Sequence, residues 1–263
     1  MSEQFSEPVD LGGRTVVVTG AGGIGGGVAR ALAARGARLA VIDYDEEALA
    51  SLEAALPDGL AIAHSGDASD AQTVDTFIAR VQSELGAPFG LVNNVGANPA
   101  GYRRFEEIDP ELWDRVIALN LRSPFLFSRA VAPLMREAGE GRIVNITSIA
   151  GERAIPRLAG YSASKAGVIS LTQVMATELA VDGIAVNAVS PGHTLTENAR
   201  AIVPADIQER RATVIPAGRL GDPADIARAV LFLLADATWL TGVVINVDGG
   251  QTAIIPRPLP DEE

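Results

Sequence analysis

Short apolar runs rich in β-branched residues recur along the chain, and longer segments with apolar residues at helical spacing separate them. A continuous apolar run of about four to eight residues is typical of a strand covered on both faces, as in a parallel sheet. Seven runs fit this description and predict the strands Thr15–Thr19, Arg38–Asp43, Ala61–His64, Gly90–Asn93, Arg142–Thr147, Ile184–Val189 and Gly242–Val247.

Helical patterns fill the intervals between these strands. The first helix follows a glycine-rich turn and is closed by Gly36, since glycine favours a helix C-terminus. The later helices are predicted at Asp45–Ala55, Asp70–Leu85, Pro110–Met135, Gly160–Val181 and Asp222–Ala235. We expect Pro110–Met135 to be two helices joined near Pro124. The segment Pro191–Val214 is polar and irregular, with some helical character.

The alternation of strands and helices predicts one α/β domain over residues 1–263, built on a doubly wound parallel sheet with helices on both faces. No change of composition marks a domain boundary. We expect residues 1–11 to form a loose polar arm and residues 253–263 an irregular tail.

Charge and composition exclude several classes of function. A formal net charge of −12 disfavours non-specific binding to nucleic acids and anionic membranes. No apolar run approaches the roughly 18 residues of a membrane span, and the N-terminal residues lack a signal-peptide pattern, so we expect a cytoplasmic protein. The absence of cysteine excludes disulfides and thiolate catalysis, and with only His64 and His193 as imidazoles we expect no metal site.

Six glycines crowd the turn after the first strand: Gly20, Gly22, Gly23, Gly25, Gly26 and Gly27. A glycine backbone lets a phosphate approach closely, and a helix N-terminus offers N–H donors and partial positive charge. The turn lies between a strand and a helix, which is the context of a dinucleotide-binding site.

Asp43 ends the second strand, twenty residues after Gly23. A carboxylate there is suited to accept hydrogen bonds from an adenosine ribose and to repel a 2′-phosphate. The alternative is that Asp43 merely caps the following helix. Neither Ala21 nor Tyr44 supplies a cation for a 2′-phosphate, so we expect NAD rather than NADP as the cofactor.

The stretch Ile143–Ala166 carries the candidate chemistry, because it contains Ser148, Tyr161 and Lys165. Tyr161 and Lys165 are four residues apart, so a helix places both on one face. Lys165 is the only lysine, beside 20 arginines. A chain that otherwise uses arginine for positive charge therefore has a lysine at this one position, where a compact ammonium on a flexible stem differs in its chemistry from a planar guanidinium.

A tyrosine is a poor base at neutral pH, since its ordinary pKa is about 10, and lowering that pKa to about 7 requires about 4 kcal/mol. An ammonium about 4 Å away supplies this much at an effective dielectric constant of about 20. Tyr161 tuned by Lys165 is thus suited to acid/base catalysis on an alcohol, and Ser148 to polarising the substrate oxygen. The alternative is a purely structural role for each residue.

Nine motifs follow one another between Gly12 and Gln251: TGAGGIG (Thr19–Gly25), GDAS with Asp67, NNVG (Asn93–Gly96), ALNL with Asn120, ITSIAG with Ser148, YSASK (Tyr161–Lys165), PGHTLT (Pro191–Thr196), GRLGDPADIA (Gly218–Ala227) and VDGG. In this order they resemble the short-chain dehydrogenase/reductase family. The resemblance implies a Rossmann fold and an oxidoreductase that uses a nicotinamide cofactor.

The resemblance also implies residue roles. Tyr161 is the acid/base and Ser148 polarises the substrate oxygen, while Asn120 holds a water in a proton relay linked to Lys165. The implied cofactor-binding residues are Gly20, Gly23, Ile24, Gly25, Asp43, Asp67, Ala68, Asn94, Gly96, Tyr161, Lys165, Pro191, Gly192, Thr194 and Thr196. In this set Asp67 and Ala68 flank the adenine, and Pro191–Thr196 holds the nicotinamide carboxamide.

The glycine turn departs from the family pattern. The family has three residues between its first two glycines, whereas only Ala21 and Gly22 separate Gly20 from Gly23. This count keeps the following helix in register with Gly36. If the turn is instead aligned with the full family spacing, Ile24 falls where the family usually has a glycine. Which N–H groups meet the pyrophosphate therefore stays open, and weaker cofactor binding is one expectation.

Three segments are expected to select the substrate: Asn98–Arg104, Ala150–Leu158 and Leu195–Val214, the last resembling the family's mobile lid (residues 195–214). The arginines of these segments could favour an anionic substrate. The alternative is that they are ordinary surface residues in contact with solvent. They are Arg103, Arg104, Arg153, Arg157 and Arg200. We expect His193 to be a polar surface or pocket group rather than a catalyst.

The leading hypothesis is an NAD-dependent enzyme that interconverts a secondary alcohol and a ketone. Two alternatives are an NADPH-dependent 3-oxoacyl-carrier reductase, which Asp43 and the net charge disfavour, and a non-catalytic NAD-binding scaffold. The resemblance further implies a homotetramer, or a homodimer, formed through the long helices and the C-terminal segment. The expected partner is otherwise a small alcohol or ketone.

Overall fold

The structure is a computed structural model that describes residues 10–253, apart from the side chains of Asn198 and Ile202. The predicted N-terminal arm lies almost entirely outside the described residues, and so does the predicted C-terminal tail.

Seven strands form the central sheet: β1 (Thr15–Thr19), β2 (Arg38–Asp43), β3 (Ile62–Ser65), β4 (Gly90–Asn93), β5 (Gly141–Ile146), β6 (Ile184–Pro191) and β7 (Val244–Val247). All neighbours pair in parallel, in the order β3-β2-β1-β4-β5-β6-β7. The predicted doubly wound sheet is therefore confirmed. The strand order reverses between β1 and β4, where such sheets open a crevice at their carboxyl ends.

Nine α-helices surround the sheet within residues 10–253: α1 (Gly23–Ala33), α2 (Glu46–Ala54), α3 (Ala71–Leu85), α4 (Pro110–Ile117), α5 (Ser123–Ala138), α6 (Ala159–Leu179), α7 (Glu197–Ile202), α8 (Ala205–Thr213) and α9 (Pro223–Leu231). Residues of α1, α2 and α9 contribute to the core on one face of the sheet. Residues of α3, α5 and α6 contribute to the core on the other face.

The strands show why their sequences are apolar without alternation. Val16 and Val18 of β1 point into the first core, whereas Val17 points into the second. All three side chains are fully buried. Because successive side chains of a strand face opposite sides, a sheet covered on both faces requires an apolar residue at every position.

The segment predicted as two helices joined near Pro124 is α4 and α5, joined by a π-helical turn at Ala118–Arg122. Pro124 has no N–H for the carbonyl of Asn120, and its ring crowds that carbonyl. The Asn120 side chain lies in this wider turn and donates to the Val116 carbonyl at 2.9 Å. α5 then continues beyond the predicted end to Ala138, where Gly139 adopts a left-handed conformation with φ of 74°.

The segment predicted as irregular is more ordered than expected. β6 extends through Pro191, and the region that resembles a lid contains α7 and α8. Thr196 caps α7 by accepting the Ala199 N–H. The cap explains the helix, since a threonine hydroxyl satisfies a first-turn N–H that otherwise lacks an acceptor.

Among the described residues, none of the helices combines the length and apolar character that crossing a membrane requires. In the same part of the chain, no group of three or more His, Asp or Glu side chains is placed to hold a metal ion.

Candidate active site

A cavity of about 420 Å³ lies at the carboxyl ends of the central strands, where the strand order reverses. The structure brings thirteen of the predicted site residues to its walls: Gly20, Gly23, Ile24, Asp43, Asn94, Gly96, Ser148, Tyr161, Lys165, Pro191, Gly192, Thr194 and Thr196. The candidate catalytic residues and the glycine turn therefore share one cavity.

The glycine turn is shaped to receive a phosphate. α1 begins at Gly23, and the residue before it, Gly22, provides no side-chain cap for the first-turn N–H groups. Gly20 and Gly23 have φ of 88° and 52°, in the left-handed region that glycine tolerates. A Cβ on Gly22 would meet nothing within 4 Å, so the backbone here is open to a ligand.

Asp43 lies on the cavity wall and also holds the glycine turn. Its carboxylate accepts the Ala21 N–H at 2.7 Å and the Asp45 N–H at 3.0 Å. The N-cap of α2 is Asp45, which accepts from Glu47 and Ala48. Asp43 is therefore not the cap of α2. The carboxylate predicted to bind a ribose instead holds the shortened glycine turn, through its hydrogen bond with the Ala21 N–H.

Four predicted residues do not line the cavity: Gly25, Asp67, Ala68 and Asn120. A Cβ on Gly25 would overlap the Gly20 carbonyl, so this glycine permits close packing within the turn. Asp67 uses its carboxylate to accept from the N–H and hydroxyl of Ser69. Ala68 is buried in the turn between β3 and α3.

Ser148, Tyr161 and Lys165 converge as the sequence predicted. Ser148 follows β5 and its hydroxyl accepts the Ala150 N–H at 3.2 Å. Tyr161 and Lys165 lie one turn apart on α6, and the Lys165 Nζ is 5.7 Å from the centre of the Tyr161 ring. The Lys165 ammonium is almost completely buried and donates to the Ile146 carbonyl at 2.9 Å.

Burial dominates the titration of both groups. It lowers the pKa of Lys165 to about 8, because the buried ammonium loses its hydration. Burial also raises the pKa of Tyr161; the Ser148 hydroxyl acts in the opposite direction, and the nearby Tyr102 phenol adds to the increase. The lowering of the Tyr161 pKa by Lys165 therefore stays a prediction, which has to overcome the cost of burying a phenolate.

Asn120 lies behind the catalytic residues, in the π-helical turn. Its amide donates to the carbonyls of Ala97 (2.7 Å) and Val116 (2.9 Å), while its buried Oδ1 has no hydrogen-bond partner among the described residues. A Cβ on Gly96 would lie 2.8 Å from that oxygen and 2.9 Å from the Lys165 Nζ. The orphaned acceptor and the ammonium thus approach the same point, which only a glycine leaves open.

Several residues on the cavity wall were not singled out from the sequence: Tyr44, Ala97, Leu119, Ile146 and Thr147. Leu119 lies in the π-helical turn, whose exact position helical periodicity alone does not reveal. Ile146 and Thr147 lie at the carboxyl end of β5, next to Ser148. Their position at a strand end could have indicated that they line the cavity.

His193 does not line this cavity. It lies on a second one of about 390 Å³, near the end of β7. The Gln251 side chain bonds both the His193 N–H and the ring Nδ1, at 2.8 and 2.7 Å. This placement agrees with the expectation of a polar pocket group rather than a catalyst.

The residues present fit a nicotinamide dinucleotide. The open glycine backbone at a helix N-terminus suits a pyrophosphate, the Asp43 carboxylate suits a ribose diol, and the orphaned Asn120 oxygen lies beside the Lys165 ammonium. Pro191, Gly192 and Thr194 also line the cavity. A dinucleotide bound along this cavity would reach Tyr161 and Ser148.

Comparison with known proteins agrees with this geometry. A family model described as enoyl-(acyl carrier protein) reductase matches residues 18–252. The chain is 39% identical over 253 residues to 2-(S)-hydroxypropyl-CoM dehydrogenase 3 of Xanthobacter autotrophicus strain Py2, covering 93% of this chain and 98% of that relative. It is 40% identical over 243 residues to an acetoacetyl-CoA reductase of Rhizobium meliloti strain 1021, covering 90% and 98%. The crystal structure of levodione reductase matches with a TM-score of 0.89 at 33% identity, covering 93% of this chain and 100% of that chain.

Proposed function

The chain belongs to the short-chain dehydrogenase/reductase family of oxidoreductases, and we propose that it interconverts a secondary alcohol and a ketone with NAD as the hydride carrier. The observation that carries the proposal is that Ser148, Tyr161 and Lys165 share one cavity with an uncapped helix N-terminus and Asp43. A purely structural role for each of these residues does not explain their convergence.

In alcohol oxidation, Tyr161 as phenolate accepts the hydroxyl proton of the substrate while the carbon loses a hydride. A bound NAD would supply the redox chemistry, as the acceptor of that hydride. Ser148 donates a hydrogen bond to the substrate oxygen and stabilises the charge that develops on it. In ketone reduction the proton moves from Tyr161 to the oxygen.

Lys165 and Asn120 support this proton transfer. The Lys165 ammonium favours the phenolate form of Tyr161 through its charge, against the cost of burial. Asn120 holds an acceptor oxygen near the ammonium, which suits a water in a proton relay. Among the cofactor residues, the turn at Gly20–Gly25 would hold the pyrophosphate. Asn94 and Gly96 would form the floor of the site, and Pro191–Thr196 would hold the nicotinamide end.

The preference for NAD rests on Asp43. Its carboxylate lies on the cavity wall and repels a 2′-phosphate, while its bond to the Ala21 N–H keeps it in place. The adenine walls predicted at Asp67 and Ala68 lie outside the cavity lining, so their part in adenine binding stays a prediction.

A carrier-linked 3-oxoacyl substrate is the second candidate. It is favoured by the likeness to an acetoacetyl-CoA reductase, whose name indicates a 3-oxoacyl substrate. The position of Asp43 counts against NADPH, which this alternative would use. A non-catalytic scaffold is disfavoured by the complete catalytic set. A homotetramer, a cytoplasmic location and the lid role of residues 195–214 stay predictions.

The test is a panel of secondary alcohols and ketones assayed with NAD(H) and NADP(H) in parallel. We expect turnover with NAD(H) at a kcat/KM at least about tenfold above that with NADP(H). Asp43→Ala should reduce this ratio, since it removes the charge that repels the 2′-phosphate. Turnover on 3-oxoacyl thioesters with NADPH alone would favour the second candidate, and no turnover on any substrate would contradict both.

A further inference from the structure

Two arginines meet where two predicted substrate-selecting segments touch. The Arg103 N–H donates to the Arg157 carbonyl at 3.2 Å, so the segment Asn98–Arg104 is bonded to the segment Ala150–Leu158. The second segment follows Ser148 and precedes Tyr161 along the chain. We call Arg103 and Arg157 the basic rim.

The Arg103 side chain is fixed beside the wall that carries Tyr161. Its Nε donates to the Ala100 carbonyl at 2.9 Å. Ala100 belongs to a small buried cluster with Leu112 and Val116, against which the Tyr161 ring packs. Tyr102, the residue before Arg103, raises the pKa of Tyr161 through its charge. Arg103 is therefore bonded to the cluster on which the Tyr161 ring packs.

Arg157 adopts a conformation that its residue type disfavours. Its φ is 68°, and it is the one non-glycine residue in the left-handed region between residues 10 and 253. A glycine would take this conformation without the clash of a Cβ. Strained backbone of this kind is concentrated at functional sites, so an arginine here indicates a use for its side chain.

The charges of the rim are not neutralised within the described chain. Neither Arg103 nor Arg157 has a described carboxylate oxygen within 4.0 Å, whereas the adjacent Arg104 pairs with Glu106 at 2.8 Å. Both residues are exposed, so their guanidinium groups are accessible to an anion from solvent. The planar guanidinium matches the geometry of carboxylate and sulfonate oxygens.

We propose that the basic rim binds an anionic group of the substrate, a carboxylate or sulfonate carried several bonds away from the reacting carbonyl. This inference rests on the proposed alcohol/ketone activity and adds the substrate class. The rim anchors the charged end, and the reacting carbon then reaches Ser148 and Tyr161.

The test compares matched probes that differ only in charge: linear oxo acids of increasing length, the same series as methyl esters, and oxo sulfonates. We expect kcat/KM for an acid or sulfonate of one length to exceed that for the neutral ester by at least about tenfold. Added salt should reduce this preference, because it screens the ion pair.

Three variants locate the effect. Arg103→Gln and Arg157→Gly should each raise KM for the preferred anion about tenfold and leave the ester unchanged. Arg157→Gly suits the left-handed backbone, so its melting temperature should stay close to that of the wild type. Arg104→Gln is the matched control and should keep the preference.

Equal kcat/KM for acid and ester at every length would overturn the inference, and so would a preference that persists in both rim variants. Turnover of neutral substrates alone would reject the rim while leaving the proposed function intact. Absence of turnover with every probe and with the neutral panel would instead overturn the proposed function, and the inference with it.

Discussion

At the scale of single residues, Lys165 shows the conflict between stability and chemistry most clearly. It is the only lysine of the chain and is buried, with its ammonium bonded to the Ile146 carbonyl. The sequence could identify this residue because one lysine among 20 arginines is conspicuous. It could not reveal the pKa values, because these depend on burial, and burial belongs to the folded molecule.

Lys165→Met is expected to change how stability depends on pH. The unfolded chain holds this proton up to the ordinary pKa of 10.5, whereas the folded protein holds it only up to about pH 8. Wild-type stability therefore rises with pH between these values. This difference in pKa means that keeping Lys165 charged in the folded protein costs about 3 kcal/mol of stability at neutral pH. Lys165→Met removes that cost.

Thermal unfolding of wild type and Lys165→Met at pH 7 and pH 10 checks this. We expect the variant to gain stability relative to the wild type at pH 7 and to lose that gain at pH 10. Arg115→Met, which removes an exposed cation from α4, serves as the control and should show no such pH dependence. If wild type and Lys165→Met differ in melting temperature by the same amount at pH 7 and pH 10, burial does not lower the pKa of Lys165.

At the scale of elements, the strands were predictable and the irregular turns were not. Apolar runs such as Thr15–Thr19 report burial on both faces directly. The π-helical turn Ala118–Arg122 depends on a proline and on an asparagine that bonds backward to Val116, so periodicity alone did not locate it. The tie between Asp43 and Ala21 was equally hidden, because it joins residues far apart in the sequence.

Glu152 joins three elements around the site. Its carboxylate accepts from the Ser190 hydroxyl at 2.6 Å and from the Asn246 amide at 3.0 Å. Ser190 is buried and directly precedes Pro191 on the cavity wall, whereas Glu152 closes the turn that begins with Ser148. The carboxylate therefore ties the turn of Ser148 to the ends of β6 and β7.

Glu152→Ala should leave the Ser190 hydroxyl without its acceptor and cost about 1 kcal/mol of stability. We expect kcat to decrease while KM for NAD changes little, and the primary deuterium isotope effect to increase as hydride transfer becomes slower. Glu152→Gln retains an acceptor oxygen for Ser190 and should restore much of kcat. Equal kcat in all three proteins would show that the tie does not position Ser148.

For the whole molecule, the alternation of strands and helices was sufficient to predict the sheet and the end at which the cavity lies. The assembly is less accessible to such reasoning. Phe125 on α5 and Val174 on α6 are 47% and 49% exposed in the single chain. We expect these two side chains to lie in the contact between copies that the family resemblance implies.

We therefore expect sedimentation to give a mass about four times the 27.3 kDa of one chain. Phe125→Glu should dissociate the assembly, because it buries a charge at the predicted contact. Val214→Glu is the control: it changes an exposed apolar residue that follows α8 and belongs to neither α5 nor α6, and it should leave the mass unchanged. A wild-type mass of 27.3 kDa would reject the tetramer and the dimer alike.

Single turnovers measure whether Tyr161 transfers the substrate proton during hydride transfer to NAD. The formation of NADH is followed with the wild type and with Tyr161→Phe on the best alcohol of the panel, and NAD binding is measured in parallel. We expect a rate about 10²–10⁴-fold lower in the variant, with NAD affinity little changed. Hydride transfer at the wild-type rate in Tyr161→Phe would contradict this role of Tyr161.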